Sequence, residues 1–369
     1  MKQKMLLNKI LKVNSFRKYY QRISIKCLDL FFSLLNRLFI LLISFLIFTI
    51  LLVFFKQNFV KIYYALAKSS ILTILGIKTS LRWMTPLLFT GIAVAIAFKG
   101  GVFNIGVEGQ FYLGAFAATW ACITFPYLNR YLIIPFAFLS AILVGIIWSF
   151  IPLFLKEKFK TNEVITCLML NYIAILFTEW LVRYPYAAPG TAGETVATVN
   201  IPNSAHLTSL IRGSQVTSGL IIGFFICILI WFILSKTKLG FEIKQVGMNP
   251  IFSQYIGITP LKIRFISMLL SGAFAGLGGA IEILGVQWRF ITKFTVGLGF
   301  DGIVVSLLAN NNPIGVIFSS FFIGALKSGS FGIERTIGAS RALVTVLQGI
   351  VIALITIEKM YNYKRKRER

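Results

Sequence analysis

The amino-acid sequence predicts an all-α polytopic membrane protein with about ten transmembrane helices. Of its 369 residues, 57% are hydrophobic and only 13% are charged, and the mean hydropathy is +0.81. Soluble domains carry about 45–50% apolar and about 25% charged residues. A soluble core of this size cannot hide so much apolar surface, so a soluble enzyme, a disordered chain, a coiled coil and a secreted disulfide scaffold are excluded together.

Ten apolar segments approach the length of about 20 residues that a membrane-spanning helix needs. Two of them, 84–98 and 296–311, are short. The predicted spans are 38–55, 84–98, 101–125, 132–155, 163–182, 216–235, 263–286, 296–311, 313–331 and 341–357. An even number of spans places both chain ends on the same side of the membrane.

The charge of +25 is concentrated at the two ends of the chain. We expect residues 1–37 to form a basic cytoplasmic arm, 38–357 the transmembrane domain, and 358–369 a basic cytoplasmic tail, because lysine and arginine favour the cytoplasmic side. Basic residues beside spans indicate contact with anionic lipid. Nucleic acid is not expected as a partner, because no basic stripe is interleaved with exposed aromatic residues.

Two of the loops between spans have residue patterns that predict helices. Residues 56–82, placed outside the membrane, have apolar residues at spacings that favour an amphipathic interfacial helix. In the inner loop 236–262, Asn249 fits a helix N-cap, Pro250 the first helical position and Gly257 a C-terminal stop. The sequence therefore predicts a short cytoplasmic helix at 249–257. The alternative is a solvated connector.

A few polar residues lie at membrane depth, where an ionisable group is costly and indicates function. Glu108 lies in a glycine-rich stretch with Asn104 and Gln110, and Asn104 and Glu108 are four residues apart, which predicts one helix face. The second half has a similar passage with Glu282 and Asp301, and small residues at 272, 276 and 280 predict close helix packing. The two passages indicate an internal repeat. These side chains either line a polar path or lock helices together.

No motif for chemistry on a substrate is present in the sequence. It has no phosphate-binding loop of the GxxxxGK[ST] type, no metal-ligand spacing and no Ser/His/Asp set. The four cysteines form no CxxC pair, and the single histidine has no ligand partner near it. We therefore expect a transport subunit rather than an enzyme, and ATP-driven transport would require a partner that binds the nucleotide.

Five ordered motifs resemble those of bacterial ABC-importer permeases of the nucleoside and simple-sugar group, within the branched-chain amino acid and ribose-type permease superfamily. The most similar pattern is that of the general nucleoside permeases. The motifs are Thr85–Gln110, Asn162–Ile173, Gly240–Ile258, Ser271–Gly276 and Gly299–Ile303. One departure is the run Ala309–Pro313, which has three asparagines where such permeases usually have a glycine and fewer amides.

The resemblance implies a multi-pass subunit of the bacterial cytoplasmic membrane that works by alternating access. Its implied partners are a second permease subunit (a copy or a paralogue), a cytoplasmic ABC ATPase that binds ATP and magnesium, and an extracytoplasmic substrate-binding protein or lipoprotein. No cofactor is expected in this chain itself. The expected pathway residues are Asn104, Glu108, Gln110, Asn171, Glu282 and Asp301, and the expected ATPase-coupling residues are Gly247, Asn249, Pro250, Tyr255 and Gly257.

The expected solute is a nucleoside, and riboflavin or a simple sugar fits the same polar residues. An ion-coupled secondary transporter remains an alternative, because intramembrane carboxylates can carry protons. A membrane-embedded transferase or scaffold is the last alternative. Such an enzyme would show an acidic or histidine cluster at the interface, and the sequence has none.

Overall fold

The computed structural model describes residues 39–190, 196–295, 297–338 and 340–367, with side chains up to residue 358. The chain divides into two compact units. One is Val60–Val344, and the other combines Met1–Phe59 with Thr345–Arg369. The predicted basic arm, 1–37, lies outside the described residues, as do the last two residues of the predicted tail.

The smaller unit contains helix α1 (Phe39–Phe54) and most of helix α13 (Ala342–Arg367). In α1 the buried residues recur every fourth position, at Ile40, Ser44, Phe48 and Leu52. This spacing keeps them on one stripe of a helix, while the apolar residues between them remain exposed.

The larger unit is a bundle of helices, most of them joined by short connections, with longer connections after α6 and before α11. Its helices are α2 (Phe59–Ala67, which begins one residue before the unit), α3 (Ile74–Lys99), α4 (Val107–Thr124), α5 (Arg130–Phe159), α6 (Glu163–Arg183), α7 (Gly219–Lys236), α8 (Lys238–Met248), α9 (Pro250–Tyr255), α10 (Pro260–Glu282), α11 (Leu298–Leu308) and α12 (Pro313–Ile337). A π-helical turn, Ile283–Gln287, extends α10.

Every one of the ten predicted spans contains a helix. Within the described residues, six helices are long and apolar enough to cross a membrane, namely α3, α5, α6, α7, α10 with its extension, and α12. Shorter apolar helices occur at Phe39–Phe54, Leu298–Leu308 and Ala342–Glu358. The all-helical membrane fold is therefore confirmed.

Two boundaries were predicted wrongly. Helix α3 begins at Ile74, so 74–82 is part of a span rather than of an outer loop, and the rest of the predicted amphipathic stretch holds α2 and a π-helical turn, Lys68–Leu72. Residues 101–106 are not helical, because the chain turns at Gly101 with a positive φ of 73° before α4 begins at Val107. Asn104 therefore does not share a helix face with Glu108.

The packing of helices supports the internal repeat. Helix α4 packs on α10 and α5, and α5 packs on α10; in the second half α11 packs on α3 and α12, and α12 packs on α3. Helices α3, α4 and α5 thus correspond to α10, α11 and α12. Helices α4 and α11 also each follow an N-cap glycine, Gly106 and Gly297.

Glycine permits close contact between α4, α5 and α10, as the small residues at 272, 276 and 280 predicted. A Cβ on Gly276 would lie 2.3 Å from the carbonyl oxygen of Ala141 on α5, and a Cβ on Gly114 of α4 would lie 2.3 Å from the Gly276 Cα. Any side chain at either position would separate the backbones of α4, α5 and α10.

The asparagine-rich turn between α11 and α12 has a clear structural reason. Asn310 and Asn311 adopt left-handed conformations with φ of 53° and 55°, which asparagine tolerates better than other side-chain-bearing residues. The side chain of Asn312 then accepts a hydrogen bond from the Ile314 N–H (3.1 Å) and caps α12. The asparagines therefore adopt the left-handed backbone conformation for which a glycine would otherwise be needed in this turn.

Candidate substrate pathway and coupling surface

Three of the predicted pathway amides surround the non-helical segment that precedes α4. Asn104 Nδ2 donates to Gln110 Oε1 (2.9 Å) and to Ser271 Oγ of α10 (2.8 Å). Asn171 of α6 accepts from the Gly109 N–H (2.9 Å) and donates to the Ile105 carbonyl (2.9 Å). All three amides are buried. Asn171 therefore satisfies two backbone groups and Asn104 Oδ1 a third, the Gly106 N–H (3.0 Å), while the bonds among Asn104, Gln110 and Ser271 join the segment to α4 and α10.

Glu108 lies where the N-termini of two helices meet. It is in the first turn of α4, and its carboxylate accepts hydrogen bonds from the Gly299 N–H, in the first turn of α11, and from Thr295 Oγ1 (3.3 Å). Helix N-termini attract negative charge. A single buried carboxylate thus joins the two corresponding half-helices of the repeat.

The remaining two predicted acids are held in ion pairs. Glu282 of α10 pairs with Arg82 of α3, and its Oε1 also accepts from Gln287 Nε2 (3.1 Å). Asp301 of α11 pairs with Lys327 of α12, and both side chains of this pair retain a small exposed fraction, 14% and 16%. Charges at membrane depth are tolerated when they are paired inside a bundle in this way.

The sequence did not point to either basic partner as a site residue. Arg82 ends the stretch 56–82 that the sequence assigns to an outer loop, and Lys327 lies inside the predicted span 313–331. The sequence did contain one indication of Arg82's position: the predicted span 84–98 is too short to cross a membrane. Extending it toward about 20 residues brings Arg82 into the membrane, where a charge requires a partner.

The six predicted pathway residues thus fall into three groups: the amides around 101–110, Glu108 between α4 and α11, and the acids in the two ion pairs. Five of the six are buried, and Asp301 is half-buried. Each makes hydrogen bonds or ion pairs within the chain. Their role in lining a path for solute stays a prediction.

The predicted short helix at 249–257 is present as α9, and a second helix, α8, precedes it. Asn249 accepts a hydrogen bond from the Phe252 N–H (3.0 Å), Pro250 occupies the first turn, and Gly257 has a φ of 81°. The helix therefore begins and stops for the reasons that the sequence indicated. Helix α8 was not predicted, because Thr237, which caps it by accepting from the Gly240 N–H, directly follows α7.

Helix α9 exposes an apolar patch, which consists of Met248, Ile251, Phe252, Tyr255 and Ile256. Tyr255 is 85% exposed and Ile251 67% exposed. The other side of this pair of helices touches the bundle at Gly247, where an added Cβ would lie 1.9 Å from the Lys99 carbonyl oxygen at the end of α3. Gly247 therefore contacts the end of α3, although its own surface is exposed beside the patch.

At the opposite end of the bundle, the long loop after α6 is hydrogen-bonded to the segment between α10 and α11. Thr198 N–H donates to the Phe290 carbonyl (2.9 Å), Ile201 N–H to the Trp288 carbonyl (2.8 Å), and Ala197 and Ile291 form a β-bridge. His206 stacks on Trp288 at 4.9 Å between ring centroids, and burial lowers the pKa of this histidine. Among the described residues, no three histidine, cysteine or acidic side chains gather as metal ligands.

Comparison with known proteins decides the family. The model of the family described as "Branched-chain amino acid transport system / permease component" matches residues 76–356, which is most of the chain. The chain belongs to this permease family. The match covers the whole repeat, α3–α5 and α10–α12, as well as the α8–α9 pair.

Three relatives show where the permease is placed within the family. It is 36% identical over 277 residues to the guanosine ABC transporter permease NupP of Bacillus subtilis, covering 75% of this chain and 79% of that one. It is 33% identical over 322 residues to the nucleoside ABC transporter permease NupB of Lactococcus lactis, covering 85% and 88%. It is 34% identical over 306 residues to the glucose ABC transporter permease TsgB13 of Haloferax volcanii, covering 78% of each chain. These matches confirm the expected subunit type, a permease rather than an enzyme.

Proposed function

We propose that this permease carries a nucleoside across the bacterial cytoplasmic membrane as part of an ATP-driven importer. The observation that supports the solute is the similarity to permeases named for guanosine and for nucleosides, over most of the chain. The similarity to a glucose permease makes a simple sugar the second candidate. Riboflavin is a third, which rests only on the polarity of the buried side chains.

Three observations support the proposal that another chain supplies the energy for transport. The permease lacks a nucleotide-binding motif in its sequence, and membership of an ABC permease family implies an ATPase partner and a substrate-binding partner. The exposed patch on α9 fits the ATPase, because exposed aromatic and aliphatic side chains on a short, capped helix are typical of a docking surface. ATP and magnesium would then be bound by that partner.

The contact between Gly247 and Lys99 gives this docking surface a mechanical connection to the bundle. Lys99 ends α3, and the non-helical segment that follows leads to Glu108 and the N-termini of α4 and α11. A displacement of α9 by the ATPase reaches the half-helices through this segment. Alternating access would follow if α4 and α11 change their relative position, with Asn104, Glu108, Gln110, Asn171, Glu282 and Asp301 contacting the solute in turn.

The membrane arrangement follows from the same proposal. With α8 and α9 on the cytoplasmic side, both chain ends are cytoplasmic, which agrees with the lysine and arginine bias. A second permease subunit, either a copy or a paralogue, would complete the pathway. Helix α6 is suited to that interface because most of its surface, including Tyr172 and Leu176, is exposed in the single chain.

Transport by the reconstituted complex tests the proposal. The permease is co-purified with its ATPase and binding protein, placed in liposomes, and supplied with radiolabelled guanosine, ribose or riboflavin. We expect ATP-dependent guanosine uptake that excess ribose does not inhibit. Uptake by the permease alone under an ion gradient, or ATP-dependent uptake of ribose but not of guanosine, would contradict it.

A variant of the α9 patch tests the coupling surface within the same system. Replacing 249–257 by a glycine/serine linker, or changing Tyr255→Ala, should reduce co-purification of the ATPase. Phe241→Ala is the matched control, because Phe241 is an exposed aromatic residue on the neighbouring helix α8 and lies outside the patch. If the linker variant retains the ATPase as well as the control does, α9 is not the docking surface.

A further inference from the structure

The segment that connects α10 to α11, residues 288–295, runs back into the bundle along α4. Phe290 contacts Phe116, in the middle of α4, with 5.6 Å between the ring centroids. Five residues later, the carbonyl oxygen of Thr295 accepts a hydrogen bond from the hydroxyl of Tyr112 (2.8 Å), one helical turn nearer the start of α4. The segment therefore descends beside α4 toward the first turn of that helix.

This segment covers Glu108 on the side that faces away from α9. Glu108 is only 2% exposed, and Tyr112 follows it by four residues, one turn farther from the start of α4. Thr295 Oγ1 donates to the Glu108 carboxylate (3.3 Å), and the ring of Phe294 lies 5.0 Å from the ring of Tyr112. A solute that approaches Glu108 from this end of the bundle must therefore displace the segment from α4.

The segment is not held by a helix of its own but by part of the loop after α6, residues 196–207, which we call the outer strap. Irregular backbone at membrane depth needs hydrogen-bond partners from elsewhere in the protein. The strap supplies them through the pairs Thr292 N–H to Val196 carbonyl (3.0 Å), Thr198 N–H to Phe290 carbonyl (2.9 Å), Phe290 N–H to Thr198 Oγ1 (3.0 Å) and Ile201 N–H to Trp288 carbonyl (2.8 Å). A further bond, from the Leu207 N–H to the Leu284 carbonyl (2.9 Å), joins the strap to the end of α10.

The internal repeat gives the segment a counterpart. The break at 101–106 lies between α3 and α4, and 288–295 lies between the corresponding helices α10 and α11. Each leads to a half-helix that is joined to the other at Glu108. Each also contacts one element outside the repeated helices, which is α8 for the break and the outer strap for 288–295. The strap thus has the position at one end of the bundle that α8 has at the other.

We propose that residues 288–295 form the outer gate to Glu108 and that the outer strap must release them in every transport cycle. With the strap attached, Thr295 and Phe294 stay against Tyr112 and the gate is closed. When the strap separates, the segment can leave α4 and open a route to Glu108. This inference rests on the proposed function, in which Glu108 contacts the solute. A loop with a purely structural role would remain attached throughout the cycle.

A reversible cross-link between the strap and the segment tests the proposal in the complete complex with its ATPase and binding protein. Ala197 and Ile291 pair in an antiparallel β-bridge. Residues paired in this way have Cα atoms about 4.5–5.5 Å apart, within the range that a disulfide spans. The double variant Ala197→Cys with Ile291→Cys is compared, after oxidation, with Ser209→Cys and Thr217→Cys. The control pair forms the same kind of bridge, but both of its residues lie beyond the strap in the loop after α6.

We expect oxidation of the 197–291 pair to lower guanosine uptake at least about tenfold, because the gate can no longer open. Reductant should restore the uptake, which excludes misfolding as the cause. The oxidised control pair should keep most of its uptake. Equal uptake by the two oxidised variants, with the disulfides verified by mass spectrometry, would overturn the inference.

If the 197–291 disulfide does not form, a single cysteine provides the test. Ala197 is 2% exposed, so Ala197→Cys should react slowly with a membrane-impermeant maleimide while the strap is attached. ATP and loaded binding protein together should speed the reaction about fivefold or more, because they drive the release. Ser209→Cys is the control, since Ser209 is exposed and its labelling rate should not change. An unchanged rate at Ala197→Cys would also overturn the inference.

Neither negative result affects the proposed function when the unsubstituted complex transports guanosine. If that complex transports ribose and no nucleoside, the proposed nucleoside function is wrong, and the same cross-link is then tested on ribose uptake.

Discussion

The contact at Gly247 predicts that a single methyl group uncouples the ATPase from the bundle. In Gly247→Ala the new Cβ would lie 1.9 Å from the Lys99 carbonyl oxygen and 2.9 Å from its carbonyl carbon. Carbon and oxygen atoms in close contact are normally about 3.3–3.6 Å apart. Helix α8 must therefore move away from the end of α3 by about 1.4–1.7 Å, at a cost of about 1–3 kcal/mol for an overpacked contact.

We expect Gly247→Ala to insert into the membrane and to bind the ATPase, because the exposed α9 patch is unchanged, but to lose at least about tenfold in uptake. ATPase activity should no longer rise when loaded binding protein is added. The assays are uptake and ATP hydrolysis by the reconstituted complex. Gly349→Ala is the control, because a Cβ there meets no atom within 4 Å. Normal uptake by Gly247→Ala would show that the α3–α8 contact does not transmit the ATPase motion.

Four further predictions concern Glu108, the glycine packing of α10, the α11–α12 turn and the Asp301–Lys327 ion pair. Glu108→Gln keeps a hydrogen-bond acceptor for α11 but removes the charge, so guanosine uptake at limiting concentration should change while membrane insertion does not; normal uptake would exclude a pathway role. Gly276→Ala should lower the thermal midpoint of the purified permease, since the Cβ meets the α5 backbone at 2.3 Å. Asn311→Val should destabilise the α11–α12 turn by about 1–2 kcal/mol, measured by the same melting assay, whereas Asn311→Gly should not. Lys327→Met alone should be less stable than Lys327→Met combined with Asp301→Asn, because the single change leaves a lone carboxylate at membrane depth; equal stability of the two would mean that the pair contributes nothing.

The sequence predicted those features that depend on neighbours along the chain. Hydrophobic length alone located ten helical segments, and Asn249 with Pro250 and Gly257 defined α9 correctly because capping is a local interaction. The small residues of α10 predicted close packing, since glycine spacing on a helix is visible without knowing the partner. The comparisons then confirmed the family that the five sequence motifs indicated.

The features that were missed depend on residues distant in sequence. Arg82 looked like a loop residue because a charge ends a hydrophobic window, and only Glu282, 200 residues away, makes its burial acceptable. The break at 101–106 was hidden for a similar reason: its backbone is stabilised by side chains from other helices, Asn171 and Ser271 among them. Neither pairing has a pattern in the sequence that identifies it.

The same distant contacts explain what the break between α3 and α4, with its amides at membrane depth, provides that an unbroken helix would not: it connects several helices to one another. An unbroken helix from α3 into α4 would satisfy its own backbone and need nothing from its neighbours. The break and the first turn of α4 instead form hydrogen bonds with α6, α10 and α11, so these helices cannot move without affecting them. The break also contacts α8, because Gly247 lies against Lys99 and Gly101, and helices α3 and α10 likewise touch both the coupling helices and α4. A push on α9 therefore reaches the half-helices joined by Glu108 through α10 as well as through α8 and the break, and the break is the part of this route whose backbone is held by side chains of other helices.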